Sequence, residues 1–185
     1  EALTPDGWSE PPVLMDCTLE QSTVANGDGT YRVDNLDELE GETVQVLVDE
    51  AVHEDRTVES GTIQLQSGFE GAATATARVG LGYEGRAVTL PLEGLNRSGT
   101  AQPLQKRHAR IFARLADSAL PVINGVTTGA RHPITPMNEA EPRFTGDLQV
   151  GDLGWDREAT IEISMPLPLK YVVLALFSDA GVSKL

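Results

Sequence analysis

The sequence predicts an all-β protein, an antiparallel β-sandwich or barrel-like module with long Pro- and Gly-containing loops. Three observations carry this expectation. Several runs alternate apolar and polar residues with the period of a strand, and β-branched residues dominate them. Eighteen glycines and eleven prolines, spread along 185 residues, interrupt any long helix. Turn-forming clusters separate the runs: Asn26-Gly27-Asp28-Gly29, Asn96-Arg97-Ser98-Gly99, Asn124-Gly125 and Met165-Pro166-Leu167-Pro168.

Taken in order, Thr43–Asp49 places Val44, Val46 and Val48 on one face. Thr57–Leu65 repeats the pattern, with Gly61 marking a bulge or turn. Residues 73–79 alternate small and polar side chains, and Arg86–Leu90 stops at Pro91. Residues 105–115 fit both a helix and a strand, and the surrounding strands favour a strand. In that strand Lys106, His108, Arg110, Phe112 and Arg114 form one face, and Arg107, Ala109, Ile111, Ala113 and Leu115 the other. Pro121–Pro142 reads as a loop that contacts a partner. Ala159–Ser164 alternates cleanly, and the continuous apolar run Lys170–Phe177 predicts a strand buried on both faces. The expected core is Val44, Val46, Val48, Ile63, Leu65, Leu90, Ile111, Leu115, Ile161, Ile163, Val173 and Leu176.

Length and composition predict a soluble, acidic domain with one core. The net charge of −14 opposes phosphate neutralisation, and with it simple duplex or RNA reading and anionic membrane binding. No apolar run reaches the roughly 18 residues of a membrane span. The single Cys17 excludes an internal disulfide and a cysteine zinc cluster. The start at Glu1 predicts a piece of a longer chain, and Ser183-Lys184-Leu185 matches a peroxisomal address that no other feature supports.

Catalytic and cofactor chemistry find no motif. His53, His108 and His132 are scattered and lack a His-Glu-x-x-His spacing. Asp117-Ser118 lacks a nucleophile elbow. Gly80-Leu81-Gly82-Tyr83-Glu84-Gly85 has the dinucleotide spacing, yet a strand-like run follows where a helix must begin. Ten carboxylates between Asp34 and Glu59 include no calcium-loop spacing. The expectation is no catalytic residue, no metal and no cofactor.

Charge is distributed unevenly. Residues 1–77 hold seventeen acids against Arg32 and Arg56, a net of −15. Residues 78–114 hold Arg78, Arg86, Arg97, Lys106, Arg107, Arg110 and Arg114 against Glu84 and Glu93, a net of +5. Either these are two solvated faces, or the acidic part of one copy meets the basic part of another. On the second reading Lys106, Arg110 and Arg114 are exposed and form a subunit interface.

A series of segments is informative as an ordered set. It runs through Leu36–Glu50, Thr57–Leu65, Val79-Gly80-Leu81-Gly82-Tyr83, Val88-Thr89-Leu90-Pro91-Leu92 and Lys106–Ser118. Phe144-Thr145-Gly146-Asp147, Gly154-Trp155-Asp156 and Pro166-Leu167-Pro168-Leu169 complete it. From about Leu36 to Leu176 this series resembles the C-terminal part of the tail tubular B, or tail nozzle, proteins of short-tailed bacteriophages. Two positions depart from the family pattern. Asp49-Glu50 stands where Asp-Gly is usual, and Gly82 where proline is common.

The resemblance implies a virion structural protein in the phage tail with no enzymatic reaction. It implies a homo-hexamer that meets tail adaptor and tail fibre or tip proteins and passes genomic DNA without specific binding or membrane contact. Residues 1–35 would then be an acidic segment joining missing upstream chain to a β-rich nozzle-type domain, residues 36–185. Asp37, Glu38, Glu40, Glu42, Asp49 and Glu50 would line an acidic lumen or an interface. The alternative is a receptor- or glycan-binding β-sandwich of a phage tail or bacterial surface; a hydrolase with a scattered site is a third class.

Overall fold

The structure is a computed structural model and describes residues 14–65, 75–93, 102–127, 139–151 and 154–183. It is almost entirely antiparallel β, with no α-helix among the described residues. Two compact units divide it, and each has its own core. The single core expected from composition is therefore two. Strands on both sides of position 35/36 share the sheet of the first unit.

The first unit contains β1 (Met15–Ala25), β2 (Tyr31–Val33), β3 (Thr43–Val48), β4 (Ala51–Thr57), β5 (Ile63–Leu65) and β6 (Thr76–Gly82). They form one sheet in the order β4-β3-β6-β1-β2-β5. Its two outer strands, β4 and β5, are consecutive in sequence and joined by a tight turn, so the sheet curls into a nearly closed barrel. Closure leaves few unpaired backbone groups at the edges. Inside lie Val44, Val46 and Val48 of β3, Ile63 and Leu65 of β5, and Ala77 and Val79 of β6. A single 3-10 turn, Asp37–Leu39, adds Leu36 and Leu39 to that interior.

Two tight turns make the barrel possible. Asp49 and Glu50 both take positive φ (47° and 68°) between paired Val48 and Ala51, the geometry of a two-residue type I′ hairpin. The sequence pattern placed a turn there but not the unfavourable backbone at Glu50. Ser60 and Gly61 repeat the conformation between Glu59 and Thr62. Gly61 has φ +67°, a left-handed backbone that L side chains rarely adopt, and a Cβ there would also push aside the Asp37 carboxylate, 2.5 Å away at Oδ1.

The second unit holds β7 (Gly85–Val88), β8 (Lys106–Ser118), β9 (Val122–Ile123), β10 (Val126–Thr127), β11 (Phe144–Val150), β12 (Glu162–Met165) and β13 (Val173–Val182). They build two sheets, β10-β9-β12-β7 and β11-β8-β13. The inner faces meet through Ile111, Ala113 and Leu115 of β8, Ile123 of β9, Ile163 of β12 and the adjacent Ile161. This is a small sandwich. The segment expected to be a loop from Pro121 opens with the β9–β10 hairpin, turned by Asn124-Gly125; residues 128–138 lie outside the described residues.

Three expectations for this unit change. Leu90 is 87% exposed and belongs to no core, because β7 ends at Val88 on the edge of its sheet. Strand β13 is not buried on both faces: Leu174 and Phe177 are exposed. Leu174 is an extra residue between Val173, paired with Leu115, and Ala175, paired with Arg114. That bulge leaves Val173 and Leu176 facing the core, half-buried, and turns Ala175 and Phe177 outward. The third is the face of β8 that carries Lys106, which is buried.

Core truncation tests the register. Ile163→Ala should lower stability by about 2–4 kcal/mol in chemical denaturation, and Ile63→Ala should do the same in the barrel. Glu162→Ala, on the outer face, should cost less than about 1 kcal/mol. A larger loss at Glu162 than at Ile163 would mean the register is off by one.

Candidate functional site

The functional candidates divide into a buried polar group and an exposed charged face, and both are organised by β8. This strand pairs with β11 on one side and β13 on the other. Ala109 and Arg110 together oppose one residue of β13, Asp179, which makes a bulge. Beyond it the faces exchange. Lys106 and His108 point inward with Ile111, Ala113 and Leu115, while Arg110 and Arg114 point out. The uninterrupted alternation expected from the sequence put Lys106 and His108 on the arginine face instead.

Lys106 is thus corrected from an exposed interface residue to a buried one, 1% exposed. Its Nζ donates to the Leu92 carbonyl at 2.9 Å and lies 3.6 Å from Glu93 Oε1. Its backbone pairs with Asp156 in both directions, at 2.7 and 2.8 Å. Asp156 in turn accepts from the Ala159 and Glu158 amides, and the Ala159 and Arg157 backbone bonds lead in holding its carboxyl below the usual carboxylate range. Next to it, Arg107 stacks 4.9 Å from the centroid of Trp155.

His108 is buried with Nε2 2.7 Å from the Ala159 carbonyl oxygen, so that nitrogen carries the proton and donates. It borders a cavity of about 330 Å³ whose wall includes Asn124, Asp156, Thr160 and Glu162. Most of the polar wall is already engaged. Asn124 accepts the Glu162 amide and donates to the Thr160 carbonyl, and Glu162 holds Arg86 through two bonds of 2.9 and 2.7 Å.

No group of three metal-ligating side chains occurs among the described residues. His53 sits on β4, half-buried, and burial followed by the charge of Arg56 lowers its pKa. His132 and Arg97 lie outside the described residues. Ser118 Oγ bonds the Ala116 carbonyl at 2.8 Å and accepts the Val172 amide at 2.7 Å, so it fastens β8 to the start of β13. After Gly82 the chain enters β7, so the dinucleotide spacing meets a strand where it needs a helix.

Arg110, Arg114 and Arg78 are engaged within the chain. Arg110 Nη2 reaches Asp179 Oδ2 at 2.9 Å, and Arg114 grips Asp147 with bonds of 2.7 and 2.9 Å. The hydrogen bonds of that second pair raise the pKa of Arg114 and lower that of Asp147. Arg78 holds Glu50 at 2.8 Å and Glu20 at 3.1 Å.

Among the candidate acids, Asp37, Glu38 and Glu42 are exposed on the barrel unit. The others have structural partners within the same unit. Asp49 accepts the Thr76 amide at 3.1 Å, and Glu50 pairs with Arg78. Glu40 accepts the Ser60 and Gly61 amides at 2.9 and 2.7 Å, and those bonds, Gly61 first, lower its pKa. The sequence reading assigned these acids to a lumen or an interface and missed their work on turns. For Glu40 the contact spans twenty residues and has no local signal.

Two measurements check this arrangement. Lys106→Met keeps the apolar stem and should cost about 1–2 kcal/mol, whereas Lys106→Ala should cost about 2–4 kcal/mol by emptying the space as well. Glu40 has a folded pKa below its unfolded one, so its contribution is present above the unfolded value and fades as pH falls toward the folded value. Between about pH 5 and pH 3, Glu40→Gln should therefore lose less stability than the wild type in parallel melts. Comparison with protein-family models and with curated proteins finds no match to the chain.

Proposed function

We propose that the chain is a virion structural protein, a β-built part of the tail nozzle of a short-tailed bacteriophage, forming a self-associated conduit through which DNA leaves. The observation that carries this reading is the state of the charges. Every described base of the segment 78–114 is engaged inside the chain: Arg78, Arg86, Lys106, Arg107, Arg110 and Arg114. What remains for a passing phosphate backbone to meet is an excess of exposed carboxylates, Asp37, Glu38 and Glu42 among them. Such a wall exchanges no condensed counterions with DNA and so does not hold it. The ordered motifs from Leu36 to Leu176 support the same family reading. In this proposal the tail adaptor and the fibre or tip proteins are the neighbours, and the phage tail is the location.

A second reading, a glycan- or receptor-binding sandwich, draws support from the polar cavity beside His108 and from the exposed Trp155, which lies in sequence between the cavity residues Gly154 and Asp156. Hydroxyl-rich ligands suit polar walls and an aromatic face.

Light scattering coupled to size exclusion separates the two. The nozzle reading expects a ring of about six copies, alone or on an adaptor ring, with no duplex-DNA binding even at low salt. A monomer that binds saccharides on an array would replace it with the second reading. Tight duplex binding that weakens steeply with salt would exclude both.

A further inference from the structure

Strand β8 carries a buried histidine with one ring nitrogen satisfied and the other not. His108 is 4% exposed, and its Nε2 donates to the Ala159 carbonyl at 2.7 Å. The second nitrogen, Nδ1, is also buried; in that tautomer it bears a lone pair, and it has no hydrogen-bond partner among the described residues. Buried polar atoms in folded proteins are nearly always matched, so an unmatched acceptor points to an occupant that supplies the donor. The same side chain lines the cavity of about 330 Å³ in the sandwich unit, with Asn124, Asp156, Thr160 and Glu162. That volume lies at the lower end of the roughly 300–1,000 Å³ of small-ligand sites.

We propose that this cavity binds a small neutral polyhydroxylated ligand, a monosaccharide unit, one hydroxyl of which donates to His108 Nδ1. The bonds already made in the wall select that class. Its donors are largely consumed: Nε2–H of His108 serves Ala159, and the Asn124 amide serves the Thr160 carbonyl at 3.3 Å. Acceptor capacity is left over, in Nδ1 and in the carboxylates of Asp156 and Glu162, whose oxygens each accept more than one bond. An occupant therefore has to bring O–H or N–H groups.

Charge narrows the choice further. An anion would meet two carboxylates at close range. A cation would find both of them already answered. Glu162 grips Arg86 at 2.9 and 2.7 Å, while Asp156 accepts backbone amides and lies within reach of the buried Lys106 charge. These acids and His108 do not assemble into a metal-ligating group. A neutral hydroxyl requires no counter-charge, and it both donates to Nδ1 and accepts from a wall hydroxyl such as that of Thr160. Water is the rival occupant, because a polar cavity of this size also suits it. The inference rests on the second reading, whose ligand class and contact atom it specifies, and is independent of the nozzle reading.

The test uses the 185-residue chain and, as probes, free glucose, galactose, mannose, rhamnose and N-acetylglucosamine. Histidine side-chain nitrogen resonances are followed by NMR. Accepting a hydroxyl proton shifts the resonance of a lone-pair imidazole nitrogen, so a bound sugar should move His108 Nδ1 and leave His53 in place. Two variants separate the roles of the ring. His108→Gln puts an amide where Nε2 stood, keeps the bond to Ala159 and removes the Nδ1 acceptor; affinity should fall at least about tenfold. His108→Asn puts a carbonyl where Nδ1 stood, and should bind more tightly than the Gln variant although its bond to Ala159 is lost. Cooperative thermal unfolding checks that each variant is folded, and the wild-type resonance needs no variant. A sugar that binds without moving His108 Nδ1, or that binds the Gln variant as tightly as the wild type, would overturn the inference and leave the second reading standing. No shift with any of the five sugars would mean water alone in the cavity and would also overturn it. Saccharide binding on an array then decides the second reading by itself.

Discussion

Strand β8 is hydrogen-bonded on both sides and supplies Ile111, Ala113 and Leu115 to the sandwich core, so its phase decides what the second unit shows to solvent. That phase is set by one extra residue. Because Ala109 and Arg110 together oppose Asp179, the side chains before the bulge and those after it occupy opposite alternations. An unbulged strand could bury Ile111, Ala113 and Leu115 or Lys106 and His108, but not both sets. The bulge allows both, and gives the buried Lys106 ammonium the Leu92 carbonyl as a partner. A charged head desolvated without such a partner would be strongly destabilising.

The same economy runs through the remaining charges. In the segment with a net excess of bases, each described base finds an acid, a carbonyl or an aromatic ring within the chain. Individually the exposed pairs stabilise the fold little. Their effect is on what remains visible: exposed carboxylates on the barrel unit and paired arginines on the sandwich unit.

Closure and exposure are handled differently in the two units. The barrel hides its strand edges by curling, with turns at Asp49-Glu50 and Ser60-Gly61. The sandwich keeps β7 and β13 as outer strands of their sheets, and both carry exposed apolar side chains on or just beyond them. Uncovered strands of that kind invite pairing or packing with another chain. The barrel's conformational demands are met locally, at a few residues with positive φ.

The all-β class and most of the core were legible because they depend on short-range pattern. Val44, Val46, Val48, Ile63, Leu65, Ile111, Leu115, Ile161 and Ile163 are buried as their alternation requires, and Gly61 and Asn124-Gly125 turn the chain where their backbone freedom permits. Period-2 patterning states which residues share a face as long as the strand is regular. It cannot state where an extra residue is inserted. The bulges at Ala109–Arg110 and Leu174 are fixed by pairing with strands far away in sequence, and each reverses the faces on one side of itself. For that reason Lys106 read as surface and is interior, and the Lys170–Phe177 run read as doubly buried and is half exposed. Leu90 failed for a related reason: hydrophobicity marks a residue as able to be buried, and the edge position of β7 decides that this chain alone does not bury it. Two cores where composition suggested one, and the pairing of each arginine with its acid, likewise come from contacts between distant segments, which only the tertiary structure specifies.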